Sequence, residues 1–84
     1  MTDDILSGCR VLVVDDSPFA LELSKAILEK AGCTDLTGAE GGRDGLALAA
    51  QALSERIPFD VVLLDVHMPD MNGYAVATRL RALL

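Results

Sequence analysis

Four consecutive apolar residues, Val11 to Val14, run without the alternation that a strand with one wet face would show. They predict a strand covered on both sides. In the "DDSP" that follows, Ser17 can accept hydrogen bonds from the amides of a first helical turn, and Pro18 fits a first helical position, where a missing N–H costs nothing. Ala20, Leu23, Ile27 and Ala31 recur at helical spacing and Gly32 ends the run, so a helix is expected over about Pro18 to Ala31. "CTDLTGA" (Cys33 to Ala39) is short, β-branched and weakly apolar, as an edge strand would be, and "EGGRDG" punctuates its end. Leu46, Ala49, Ala50 and Leu53 then mark a second helix over roughly Arg43 to Arg56, which Gly45 weakens by about 1 kcal/mol relative to alanine. After Pro58, "FDVVLL" is a third strand. Asn72 can cap a third helix whose Val76, Leu80, Leu83 and Leu84 share a face. The predicted order is β-α-β-α-β-α.

Strands and helices alternating at this spacing argue for right-handed crossovers and a parallel sheet with helices on both sides. Ligands of such sheets bind outside the carboxyl ends of the strands. Asp15 and Asp16 close the first strand and Asp65 closes the third, so all three emerge at that edge and converge if those two strands are neighbours. Three carboxylates within several Å of one another repel unless a cation or protons occupy the cluster. Mg2+ is the natural occupant, being hard, oxygen-seeking and content with one or two carboxylates, several waters and a phosphate oxygen. A carboxylate beside such an ion can also act as a nucleophile towards phosphorus.

Composition narrows the alternatives. The 84 residues fit one small domain, and with 51% hydrophobic but only 4% aromatic residues its core must be built from Val, Leu, Ile and Ala. A net charge of -6 with no local Lys/Arg cluster argues against direct binding to nucleic acid or to anionic membranes. Cys9 and Cys33 have neither CxxC spacing nor a histidine cluster and read as reduced, structural thiols. "MTDDILSG" has no basic or apolar signal region, and no apolar run approaches ~20 residues, so a cytoplasmic protein is expected. "GAEGGRDG" lacks the pattern of a nucleotide cradle. Asp60 and Asp70 read as solvated loop acids, and the His67 side chain as a neighbour of the cluster.

"VLVVDDSP" followed by "VVLLDVHMPDMNG" resembles the receiver domain of two-component response regulators, from Arg10 to Leu84. The resemblance implies a flavodoxin-like α/β fold with strand order 2-1-3, which the spacing alone does not supply. It further implies that Asp65 accepts a phosphoryl group from a phosphohistidine, that Asp16 binds Mg2+ directly and Asp15 through water, and that the backbone carbonyl of His67 is a further ligand. Met68, Pro69 and Gly73 match the "MPxxxG" loop of the family. Residues 1–9 are then an N-terminal extension, and 10–84 a partial receiver domain without the family's last two strands and helices. Those parts carry a Ser/Thr and a Lys that contact the phosphoryl oxygens, so phosphorylation is expected to be slow.

Two classes of function follow. One is a phosphoacceptor, itself not an enzyme, served by a histidine kinase or phosphotransfer protein in a phosphorelay. The other is a non-signalling dimerisation or kinase-binding module, with a homodimer formed through strand three or exposed helix faces. Phosphoryl uptake from a small donor separates them. An enzyme with turnover lacks a second catalytic acid arranged for hydrolysis.

Overall fold

In the computed structural model, residues 7–66 and 68–83 are described. The elements are β1 (Arg10–Val14), α1 (Pro18–Lys30), β2 (Asp35–Ala39), α2 (Gly42–Ser54), β3 (Val61–Leu64) and α3 (Gly73–Leu83), in the predicted order. Their ends follow local chemistry. The Ser17 hydroxyl accepts from the Ala20 amide at 3.3 Å and Pro18 opens α1. At the other end Gly32 takes φ +99°, and the Cys33 amide donates back to the Leu28 carbonyl at 3.0 Å, closing the helix with a left-handed cap. The second helix stops at Ser54, short of the predicted Arg56, because Arg56 itself is left-handed at φ 64° and the Ile57 amide turns back to the Ala52 carbonyl at 2.9 Å.

The sheet is fully parallel, in the order β2-β1-β3. Val14 lies beside Ala39 on one side and Leu64 on the other. Leu12 and Val14 pack with Ala39, Ala49, Met68 and Val76 beneath α2 and α3, whereas Val11 and Val13 pack with Leu21 and Cys33 beneath α1. Side chains alternate between faces along a strand, and both faces of β1 are covered. The unbroken apolar run is the result. Gly45 has a use that its helix penalty conceals: a Cβ there would come within 2.7 Å of the Val14 Cγ2, so its absence lets α2 lie flush on β1.

The edge of the sheet away from the three acids is tied through Arg10. Its guanidinium meets the Asp35 carboxylate at 3.1 Å, donates to the Ile57 carbonyl and lies 4.6 Å from the centre of the Phe59 ring. Asp60 is exposed, as a loop acid should be, but it also has a fixed partner: its carboxylate accepts the Arg10 amide at 2.7 Å while its own amide donates to the Arg10 carbonyl at 2.8 Å. That pair extends the β1–β3 contact beyond the ladder.

Among the described residues β3 pairs with β1 alone. Val62 and Leu64 pack against the α2–α3 core, while Leu63 is 41% exposed. Phe19, Leu23 and Ile27 form an exposed apolar row along α1. On α3, Val76 is buried and Leu80 half-buried, but Leu83 is exposed, so the predicted apolar face is covered only over its first turns. The position of Leu84 on that face lies outside the described residues. No helix among the described residues is long and apolar enough to cross a membrane.

Candidate metal and phosphoryl site

The ladder that joins β1 and β3 also places the acids. The Asp65 amide donates to the Val14 carbonyl at 2.9 Å, and the Asp15 amide to the Ala39 carbonyl at 3.0 Å, so both residues continue the register one step past the strands. Asp15 then turns. Its Oδ1 accepts the Ser17 amide at 3.0 Å, which folds the "DDS" corner and starts α1. One carboxylate oxygen from each of Asp15, Asp16 and Asp65 falls within 4.8 Å of the others. The condition for convergence, adjacency of strands one and three, is met.

The donor set suits a hard divalent ion. Three oxygens of formal negative charge face one point, and none of the three residues is buried, which leaves room for retained waters. Ligands of a single Mg2+ at about 2.0–2.1 Å lie no more than about 4.2 Å apart. The cluster therefore fits the ion after slight closure, or with one carboxylate held through water. The His67 carbonyl, expected as a further ligand, lies outside the described residues.

The loop between β3 and α3 is held at several points. The Gly73 amide donates to the Val66 carbonyl at 2.9 Å, and the Asn72 side chain caps α3 by accepting the Ala75 amide at 2.9 Å. Met68 is buried among Val14, Ala49 and Val76. Gly73 sits against the end of β3, where a Cβ would collide with the Asp65 carbonyl oxygen and approach the Val66 Cα to 3.0 Å.

Asp70 is an exposed loop acid, as read from the sequence, and it makes contacts that the sequence does not announce. Its carboxylate accepts the Gly42 amide at 3.1 Å through one oxygen and the Arg43 amide at 3.1 Å through the other. The helix that it caps has Gly41 at its N-cap, with no side-chain cap of its own. Two first-turn amides of α2, which have no partner within the helix, are thus satisfied by a residue from the loop between β3 and α3. The amides of Arg43 and Gly42 hold the Asp70 carboxyl below its ordinary value of 3.8. A carboxyl with a depressed folded-state pKa contributes stability above the unfolded value and loses it as pH falls through the folded one. The clamp is therefore complete above about pH 3.8 and is released only by stronger acidification.

Comparison with known proteins identifies the family. A family model described as the response regulator receiver domain matches residues 11–83. Histidine kinase CKI1 of Arabidopsis thaliana is 32% identical over 87 residues, covering 94% of this chain but 8% of the kinase. Protein PilH of Pseudomonas aeruginosa is 45% identical over 71 residues, covering 84% of this chain and 54% of PilH. The solved receiver domain of CKI1 complexed with Mg2+ superposes with a TM-score of 0.91 at 31% identity, covering 98% of this chain and 62% of that one. The chain thus spans only part of each relative.

Proposed function

Because the chain belongs to the response regulator receiver domain family of two-component signalling, we propose that it accepts a phosphoryl group on Asp65 from a phosphohistidine of a histidine kinase or phosphotransfer protein. The observation that carries this reading is the convergence of Asp15, Asp16 and Asp65 within 4.8 Å at the ends of two adjacent strands. A carboxylate oxygen of Asp65 attacks phosphorus, the P–N bond to the donor imidazole breaks, and the imidazole nitrogen leaves and takes a proton from solvent. Asp15 and Asp16 would hold Mg2+, which offsets charge on the phosphoryl oxygens during transfer. The β1–β3 register fixes Asp65 against Asp15, and the Ser17 amide fixes the corner that carries Asp16.

The test is intact-mass analysis after incubation with acetyl phosphate and Mg2+. The parent is expected to gain one phosphoryl group and Asp65→Asn none. A parent that gains nothing, or a variant that gains as much, rejects the reading.

The exposed row of Phe19, Leu23 and Ile27 on α1, the helix that starts just after Asp15 and Asp16, favours docking of a protein donor. It also supports a second reading, assembly without phosphoryl transfer. A polypeptide of these 84 residues is expected to self-associate at micromolar concentration, because among the described residues no strand pairs with the outer edge of β3, next to exposed Leu63. Leu63→Lys is the informative variant, since lysine at Val62 or Leu64 would disturb the core as well. Sedimentation should show a dimer that this change dissociates; a cooperatively melting parent monomer contradicts the expectation.

A further inference from the structure

The loop that carries the acceptor and the start of α2 share one carboxylate. Gly42 and Arg43 find their acceptor 28 and 27 residues further along the chain, in Asp70. The surfaces there are in close contact, since a Cβ at Gly42 would meet the Met71 carbonyl oxygen at 2.8 Å and the Val76 Cγ2 at 2.9 Å, and one at Gly41 would meet Asp70 Oδ2 at 3.0 Å. Four residues lie between Asp65 and Asp70, and the loop is also anchored by buried Met68 and by the hydrogen bond from the Gly73 amide to the Val66 carbonyl.

We propose that Asp70 is a positioning residue for the metal and phosphoryl site: its two-amide clamp on the N-terminus of α2 sets the path of the acceptor loop and links occupancy of the site to α2. This rests on the Mg2+ reading of the acidic cluster. The clamp is bidentate and charged, which gives it direction as well as strength. Movement of the loop as Asp65 closes on an ion shared with Asp15 and Asp16 would change the distance from Asp70 to both amides. The reverse also holds, because coupling between two sites is reciprocal in free energy. A purely structural cap would stabilise α2 to the same extent with and without ion.

The experiment is titration of the 84-residue chain with Mg2+ alone, followed by amide chemical shifts and accompanied by thermal melting. In the parent, the Gly42 and Arg43 amides should shift in parallel with those of Asp15, Asp16 and Asp65. In Asp70→Ala that melts cooperatively, Mg2+ affinity should fall by about fivefold or more, the low end of ordinary site-to-site coupling, and residues 42 and 43 should no longer report the ion. Asp70→Asn keeps one acceptor oxygen and should fall between the two, which also decides the matter if the alanine variant does not fold. Parent-like affinity in either folded variant overturns the proposal, as do Gly42 and Arg43 amides that ignore Mg2+ in the parent. Failure of the parent to bind Mg2+ sinks the reading of the cluster itself, and this proposal with it.

Discussion

In an Asp16→Ala variant, Mg2+ binding is expected to weaken by about 10–100-fold or more, a range already reached when only the groups that support a metal's ligands are removed. The argument begins with the cluster's geometry. Three carboxylate oxygens within 4.8 Å of one another are attracted to a shared cation and repelled by one another without it. Removing one acid therefore has two effects of opposite sign. Without metal, the variant should be at least as stable as the parent, because one repelling charge is gone. With metal, the parent gains stability by mass action, about 2.7 kcal/mol at a hundredfold excess over Kd, and the variant gains little. For a domain of this length each kcal/mol moves Tm by about 4–8 °C. Melting with and without Mg2+ should show a rise in Tm for the parent that the variant lacks. Equal Mg2+-dependent shifts would show that Asp16 is not a ligand.

Sequence and structure agree where the signal is local and part where it is distant. The unbroken run from Val11 to Val14 required cover on both faces, and α1 on one side with α2 and α3 on the other provides it. Asp15 and Asp65 could be placed at the correct sheet edge because each ends an apolar strand. Their meeting depended on β3 lying next to β1, which the family resemblance supplied and the register bears out. Asp60 and Asp70 are exposed, as read, but their partners were not legible because the amides they accept are 50 residues away in one case and 27 and 28 in the other. No periodicity or spacing rule reaches so far. One clue to Asp70 was present: "EGGRDG" opens a helix with no Ser, Thr, Asp or Asn at Gly41, so its first-turn amides had to find acceptors elsewhere. Gly45 and Arg56 misled for a related reason. A glycine's value lies in what approaches it, here Val14, and a left-handed arginine ends a helix without a compositional mark.

Gly73→Ala is expected to destabilise the fold and to impair the site together. The new methyl group would collide with the Asp65 carbonyl oxygen and come within 3.1 Å of its carbon and 3.0 Å of the Val66 Cα. All of these are backbone atoms, so no side-chain rotation relieves the contact. Gly73 is itself buried and bound to the Val66 carbonyl at 2.9 Å, which leaves two ways out. Either α3 moves away from the sheet, disturbing Val76 in the core, or the peptide after Asp65 is pushed aside and the acceptor with it. Inserting one carbon into a close-packed site usually costs about 1–3 kcal/mol, and Tm should fall by about 4–8 °C for each kcal/mol. Mg2+ affinity should fall as well, because Asp65 contributes an oxygen to the cluster. Gly38→Ala provides the contrast. The three atoms nearest its Cβ would all belong to the Leu21 side chain, at 3.2 Å or more, on the face of the sheet away from α2 and α3. A small loss of stability with unchanged Mg2+ binding is expected there. If Gly73→Ala instead kept parent-like melting and parent-like Mg2+ affinity, close approach of α3 to the acceptor backbone would have no part in building the site.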